Sequence, residues 1–339
     1  MNSLPPIAPP EATGREVAVT FDDLPVISVT RGDLESHRAI TTRLLEAITS
    51  NRVPAVGFVN ECKLMPHGAR DEARVELLQR WIAAGLELGN HTFSHLDLHS
   101  TPAAEFEADV IRGEPVTRSL LEAEGKRLRY FRHPYLHTGT DPAGKRRVEA
   151  LLAERGYRIA PVTIYTEDYL FAAAYDRAER RGDRGMAQRV ADEYVPYLER
   201  QIEYYENLSR RLLGYEVRQT LVLHANSINA DRFGELARAM KRRGYEFVTL
   251  ERALADEAYA TPDTYLRSEG ISWLQRWALT RGVNEDFLDG EPVTPRFVRL
   301  QAEVGRGARL MRWWNDSAFR VHQWSEALAS TGRESTRRH

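Results

Sequence analysis

Short apolar runs alternate with amphipathic stretches along most of the chain. Seven runs of five to seven residues, most of them rich in β-branched, aromatic or leucine side chains, predict β-strands. The predicted strands are Val17–Phe21, Val53–Val59, Glu87–His91, Leu128–Arg132, Arg158–Ile164, Thr220–His224 and Glu246–Leu250.

The stretches between the predicted strands have the apolar spacing of amphipathic helices. One of them carries Ile, Leu and Ile at every fourth residue over 40–48, behind Asp33, whose carboxylate can cap a helix. Thr101-Pro102 and Asp141-Pro142 each predict an N-cap followed by the first helical residue.

Seven β/α repeats predict an α/β fold with parallel strands. That number favours a closed or nearly closed barrel, in which catalytic groups lie at the C-terminal ends of the strands. A doubly wound open sheet is the alternative, but the sequence has no glycine-rich phosphate loop to support it.

The composition divides the chain into three predicted parts. Residues 1–16 contain four prolines and predict an extended arm. Residues 17–254 hold the seven repeats, and residues 255–339 carry five of the six tryptophans in an otherwise polar pattern. We expect this last part to be a mostly helical extension packed on the barrel. Trp273 and Trp277, one helical turn apart, would pack on the barrel or stack on sugar rings.

One connection between predicted strands is unusually long. Residues 170–217 contain a helical stripe that runs from Val190 to Leu208, and they predict an insertion of two helices. The insertion would be a hairpin packed on the barrel wall, or alternatively a wall or lid of a substrate cleft.

Charge and hydropathy exclude several kinds of partner. With 47 basic and 49 acidic residues the net charge is −2, so there is no basic field for nucleic acid. The mean hydropathy is −0.49 and no apolar run approaches ~18 residues, so no transmembrane segment is expected. The N-terminus lacks the basic and apolar regions of a signal peptide. This fits a cytoplasmic protein, or a periplasmic or secreted one whose signal is absent from this sequence.

Carboxylate and imidazole side chains end two of the predicted strands. Asp22 and Asp23 end the first strand, and His91 and His95 lie at the end of the third. Adjacent carboxylates repel unless a cation lies beside them, and histidines at i and i+4 can share one face of a helical turn. Each pair alone is common in turns. Together, one carboxylate and two imidazoles are typical of a catalytic metal with open positions, and the second carboxylate is left to act as a base.

Three further polar residues end other strands. Arg132 closes the fourth strand and can form a charge-assisted bond to a buried carboxylate and keep it ionised. With a metal and Arg132 beside it, the pKa of Asp22 should be lowered. His224 ends the apolar sixth strand, where a simple rim position is an equally good explanation. Asp168, expected at the end of the fifth strand, would orient His224 and favour its protonated form.

Five motifs contain these residues: TFDD, HTFSH, RHPY, TEDY and LVLH. Their order and spacing resemble the five motifs of NodB-type polysaccharide deacetylases (carbohydrate esterase family four) over residues 17 to about 254. The helical insertion and the segments HANSINAD and SWLQRW resemble one bacterial branch of that family. The resemblance implies a distorted (β/α)7 barrel, which the strand count predicts independently.

The resemblance also implies a metal site and a base. Asp23, His91 and His95 would hold a divalent metal, usually Zn²⁺, with Co²⁺, Ni²⁺ or Mn²⁺ as alternatives. Asp22 would be the general base that activates water, and Arg132 would pair with it.

The remaining implied roles concern the oxyanion, the acid and the acyl pocket. The backbone N–H of Tyr135 would stabilise the oxyanion, and His224, tuned by Asp168, would be the general acid. Tyr169 and Val222 depart from the Trp and Leu usual in the family. Both line the acetyl pocket in relatives, which puts the acyl selectivity in doubt.

The implied reaction is removal of N-acetyl groups from a carbohydrate such as a chitooligosaccharide or peptidoglycan N-acetylglucosamine, with release of acetate. Alternatives are an O-acetyl esterase acting on xylan or another polysaccharide, an amidase acting on a small molecule, and an inactive sugar-binding module. The sequence indicates no oligomeric state.

Overall fold

Seven parallel strands form one curled sheet in the computed structural model, which describes residues 14–303. Each predicted strand is confirmed in position, although the fourth and the fifth have only two residues. The strands are β1 (Arg15–Leu24), β2 (Val56–Val59), β3 (Glu87–Asn90), β4 (Tyr130–Phe131), β5 (Arg158–Ile159), β6 (Gln219–His224) and β7 (Tyr245–Phe247).

The sheet curls until its two ends meet. The strand order is β5-β4-β3-β2-β1-β6, and β7 pairs with the first residues of β1. Beyond β5, Ile164 forms a parallel bridge with Leu221 of β6, and the amide of Thr163 donates to the carbonyl of Thr220 at 3.0 Å. The predicted α/β fold with a barrel-like parallel sheet is therefore confirmed, and the C-terminal ends of the strands gather at one rim.

Helices cover the outside of this sheet. Two of the predicted N-caps are confirmed, since Asp33 and Asp141 accept hydrogen bonds from amides of the first helical turn. The prediction for Thr101-Pro102 is wrong by one residue, because Pro102 is itself the N-cap and the helix begins at Ala103. The helices are α1 (Leu34–Ser50), α2 (Glu72–Ala83), α3 (Ala103–Arg112), α4 (Pro115–Ala123), α5 (Pro142–Glu154), α6 (Asp168–Arg180), α7 (Arg184–Leu213), α8 (Ser227–Arg242), α9 (Leu250–Ala253), α10 (Trp273–Thr280) and α11 (Arg296–Gln301).

Alternation along β1 separates the apolar core from the interior of the curled sheet. Phe21 belongs to the large core under the helices, where its ring contacts Trp81 of α2 and Phe233 of α8 at 5.8 and 5.2 Å. Thr20 and Asp22 point to the other face, as the period of two requires. There both accept hydrogen bonds from the guanidinium of Arg132.

Two helices, α6 and α7, occupy the long connection before β6, as the periodicity predicts. They pack against each other and against α8, and the ring of Phe171 contacts those of Tyr194 and Tyr197. This packing is that of a hairpin on the barrel wall. No helix within residues 14–303 is both long and apolar enough to span a membrane.

Residues 255–303 run back along the barrel. The amide of Trp273 donates to the carbonyl of Val162 at 2.7 Å, and α10 packs against α7. Trp273 and Trp277 are both buried, which favours packing over sugar stacking. The arm at 1–13 and the tryptophans beyond residue 303 lie outside the described residues, and the division into three parts stays a prediction.

We expect Trp277→Ala to lower the free energy of unfolding of the whole protein by about 3–5 kcal/mol, because this side chain is 1% exposed. Leu300→Ala, at a position 63% exposed, is the control and should change it by less than about 0.5 kcal/mol. Calorimetry should show one shifted transition. A second transition at the wild-type temperature in Trp277→Ala would mean that the extension folds independently.

Candidate active site

The register of two strands brings Asp22 and His224 together. In the parallel pair of β1 and β6, Asp22 is the direct partner of His224. Successive residues of a strand normally face opposite sides, but the pairing of β1 is irregular between Phe21 and Leu24, and Asp23 has a φ of 71°. As a result each carboxylate lies near a histidine of the HTFSH segment. Asp22 Oδ2 lies 3.9 Å from His91 Nε2, and Asp23 Oδ1 lies 3.7 Å from His95 Nε2.

The HTFSH segment is a loop after β3, so the prediction of a helical turn is wrong. Side chains of the segment hold its amides instead. Thr92 N donates to Asn90 Oδ1 at 2.7 Å, and His95 N donates to Thr92 Oγ1 at 2.9 Å. The φ angles of Thr92 and His95 are 66° and 59°, which no helix allows. The two imidazoles still converge, with ring centroids 4.9 Å apart and planes at 80°.

His91, His95 and Asp23 fit a divalent cation. One potential ligand atom from each lies within 4.8 Å of the others. His91 Nδ1 donates to the carbonyl of Arg132 at 2.8 Å, which fixes the tautomer and leaves Nε2 as the ligand atom. Burial keeps the pKa of both histidines well below the usual range, so the rings are neutral, as metal ligands must be. Neither oxygen of the fully buried Asp23 carboxylate accepts a hydrogen bond from any residue of 14–303.

A second cluster, Asp97, His99 and His137, also meets the distance requirement. Its two imidazoles are stacked, however, with centroids 3.8 Å apart and planes only 6° apart. Nitrogen lone pairs lie in the ring plane, so stacked rings direct them along parallel planes and not toward one tetrahedral centre. His137 Nδ1 already donates to Asp97 Oδ1 at 2.6 Å. The direction of the ligands therefore separates the two clusters.

Arg132 is fully buried beneath Asp22. Its guanidinium donates to Asp22 Oδ2 at 3.3 Å and to Thr20 Oγ1 at 3.0 Å. Burial nevertheless raises the pKa of Asp22 to about 6, because desolvation outweighs the attraction of Arg132. The lowering that is expected from a metal and Arg132 together is therefore not produced by Arg132 alone. A divalent cation beside this carboxylate would lower its pKa.

His224 is held by a carboxylate on its far side. Its Nδ1 donates to Asp168 Oδ1 at 2.6 Å, so Nε2 is the ring atom on the side of Asp23, 3.7 Å from Asp23 Oδ2. Burial opposes protonation, but the charge and hydrogen bond of Asp168 outweigh it and raise the pKa of His224 to about 9. The expectation for His224 is confirmed.

Asp168 begins helix α6. The prediction that it ends the fifth strand is therefore wrong. Besides the His224 ring, its Oδ2 accepts from the amide of His224 at 2.9 Å and from the side chains of Asn226 and Asn229 at 3.0 and 2.8 Å. The two asparagines therefore fix the carboxylate that orients His224.

The rim residues adopt an uncommon backbone conformation. Five of the seven non-glycine residues with positive φ within 14–303 lie here, at the ends of β1, β3 and β4. Such a residue costs about 1–3 kcal/mol, and residues of this kind cluster at active sites. They are Asp23, Thr92, His95, Tyr135 and Leu136.

A cleft of about 590 Å³ opens on these groups. Tyr135 lines the cleft, and the centroid of its ring lies 4.5 Å from that of His95. Tyr169 and Val222 line it too, beside His224. All eight predicted site residues thus lie on one rim.

Sequence reasoning missed two contributions to the site. Lys63 Nζ donates to the carbonyl of Asp23 at 2.8 Å and lies 3.4 Å from Oδ1. Lys63 follows β2, so an inspection of the polar residues that follow each predicted strand could have identified it. Ser268 and Glu269 line the cleft from the extension. No local pattern marks them, because only the tertiary structure brings them here.

The polysaccharide deacetylase family model matches residues 10–159. The match contains the first six site residues and ends before Asp168 and His224. These six are Asp22, Asp23, His91, His95, Arg132 and Tyr135.

Curated relatives are similar over part or most of the chain. A chitooligosaccharide deacetylase of Sinorhizobium fredii is 30% identical over 128 residues, 38% of this chain and 50% of the relative. A chitin deacetylase of Pestalotiopsis is 30% identical over 152 residues, 45% and 43% of the two chains. A chitin deacetylase of Colletotrichum lindemuthianum is 25% identical over 245 residues, 71% and 79%. The chain thus spans about half the length of the two relatives that it matches at 30% identity.

Solved structures resemble the chain more distantly. The polysaccharide deacetylase Bc1974 from Bacillus cereus has a TM-score of 0.47 at 16% identity, covering 69% of this chain and 91% of that one. The peptidoglycan deacetylase PdaC from Bacillus subtilis has a TM-score of 0.44 at 19% identity, covering 72% and 94%. The family model matches the segment that holds Asp22 to Tyr135, so this part of the chain is similar to polysaccharide deacetylases.

Proposed function

We propose that this protein is a metal-dependent hydrolase that removes acetyl groups from an N-acetylated carbohydrate, such as a chitooligosaccharide or the N-acetylglucosamine of peptidoglycan. The observation that carries the proposal is the convergence of Asp23, His91 and His95 at a cleft flanked by Asp22 and His224. The names of the curated relatives support a carbohydrate amide as the substrate.

Asp23, His91 and His95 would hold the divalent ion. Such an ion, Zn²⁺ in our proposal, lowers the pKa of water and polarises an acyl carbonyl. Asp22, held by Arg132, accepts a proton from water as the water attacks the acetyl carbon. The backbone N–H of Tyr135 donates to the oxygen on which negative charge develops.

His224 is proposed as the general acid. Its Nδ1–H donates to Asp168, and the charge and hydrogen bond of that carboxylate favour the protonated ring, which leaves Nε2–H to act as the acid. That proton passes to the amine nitrogen as the C–N bond breaks, and acetate and a free amine result. Asp22 and His224 are neighbours in register, so base and acid lie on adjacent strands.

The substrate class is tested by measuring acetate release by metal-reconstituted protein from chitooligosaccharides, peptidoglycan fragments and acetylated xylan. We expect release from an N-acetylated saccharide. Release from xylan alone would make the enzyme an O-acetyl esterase, and release from small amides alone would make it an amidase. Saccharide binding without any release would make it a binding module.

We expect one divalent ion per chain, lost in His91→Ala together with activity, because that ring is one of the three ligands that converge here within residues 14–303. His99→Ala is the matched control, since His99 belongs to the stacked cluster, and it should keep the ion. Elemental analysis after exhaustive dialysis measures both. Full metal content in His91→Ala, or its loss in His99→Ala, would place the ion elsewhere.

The two proton carriers should differ in their response to the leaving group. His224→Ala should lose about 100-fold or more in kcat on an acetamide, a usual scale for a positioned acid. It should lose much less on an activated aryl acetate, whose leaving group scarcely needs a proton. Asp22→Asn should slow both substrates, because both need activated water. Equal losses on the two substrates in His224→Ala would assign that histidine to the oxyanion or to positioning.

A further inference from the structure

A segment of the extension packs directly on the loop that carries Tyr135. This loop, residues 134–138, follows β4 and has left-handed φ angles of 56° and 58° at Tyr135 and Leu136. Non-glycine residues keep such angles only where their surroundings restrain them. The loop therefore needs contacts that hold it in this shape.

Arg276 of α10 supplies these contacts. Its guanidinium donates to the carbonyl of Leu136 and, at 2.9 Å, to Thr138 Oγ1. The side chain is fully buried and pairs with Asp263 at 3.2 Å. It lies 4.3 Å from the ring of Trp273, a cation–π distance.

Gly270 packs against the backbone of the loop at Tyr135. A Cβ at this position would lie 1.9 Å from the carbonyl oxygen of Tyr135, closer than any side chain permits. Glycine is therefore required for the extension to approach the loop backbone. Arg276 and Gly270 act on adjacent peptide units, the carbonyls of Leu136 and Tyr135.

We propose that Arg276 is a positioning residue, which fixes the direction of the Tyr135 N–H by holding Leu136 and Thr138 of the same loop. The inference rests on the proposed function, in which that N–H stabilises the oxyanion. A buried guanidinium is costly unless each donor is engaged, and here the donors reach the loop, Asp263 and the carbonyl of Ile271, which lies just before α10. The extension, which lies beyond the segment matched by the family model, thus completes the active site.

Arg276→Met tests this inference. It removes the hydrogen bonds but keeps much of the side-chain volume. We expect kcat to fall about 100-fold, the usual effect of a misplaced catalytic group, with KM changed less than about threefold and metal content unchanged. The loss should be similar on an acetamide and an aryl acetate, because both develop an oxyanion. Hydrogen exchange should accelerate at residues 134–138.

Arg281→Met is the matched control. Arg281 caps the same helix and donates to the carbonyl of Leu212, away from the loop, so neither kcat nor exchange at 134–138 should change. If Arg276→Met is too unstable to purify, Gly270→Ala displaces the loop without removing a charge and should show the same kcat loss. Its control, Gly32→Ala, places a Cβ in open space.

The outcomes separate the inference from the proposed function. Wild-type kcat and exchange in both Arg276→Met and Gly270→Ala would overturn the positioning role. So would equal losses in Arg281→Met. If the wild-type protein deacetylates no substrate, the proposed function fails, and exchange at 134–138 alone decides whether Arg276 holds the loop.

Discussion

Two adjacent carboxylates, Asp22 and Asp23, are buried at the end of β1, and the rest of the site depends on compensating their charge. Burying one unpaired carboxylate is costly, and a second beside it raises the cost through repulsion. Arg132 and Lys63 supply positive charge, and His224 adds more when protonated. The raised pKa of Asp22 indicates that these groups do not complete the compensation. A divalent cation would complete it, which makes metal binding a consequence of the burial.

The curled sheet makes this arrangement accessible to substrate. Because all strands are parallel, their ends meet at one rim, and the loops there supply the proposed ligands, acid and oxyanion donor from different strands. These loops are held by side chains and not by regular secondary structure. Residues with left-handed φ angles at three strand ends turn these side chains toward the cleft, and their backbone strain costs free energy. Favourable packing in the apolar core, such as the aromatic contacts of Phe21 with Trp81 and Phe233, offsets the free-energy cost of this strain.

The seven strands and the common rim of the eight site residues were predicted from the sequence. The strands follow from local periodicity, and the rim follows from the rule that the C-terminal ends of parallel strands lie together. Prediction from the sequence failed where tertiary structure decides. The HTFSH loop has i, i+4 spacing but is held by Asn90 and Thr92, and Asp168 begins a helix. The pKa of Asp22 depends on the depth of burial, which no motif gives. Arg276 lies 138 residues beyond Thr138, its hydrogen-bond partner, so no spacing could connect them.

Anomalous diffraction at the zinc edge, from crystals of Zn²⁺-loaded protein, tests the central claim most directly. Both histidine clusters of residues 14–303 meet a distance criterion, and the direction of the ring lone pairs and the bond between His137 and Asp97 distinguish them. The account predicts one strong anomalous peak between Asp23, His91 and His95, and none at the stacked rings of His99 and His137. A peak at the stacked pair, or no peak at Asp23 under saturating zinc, would contradict it.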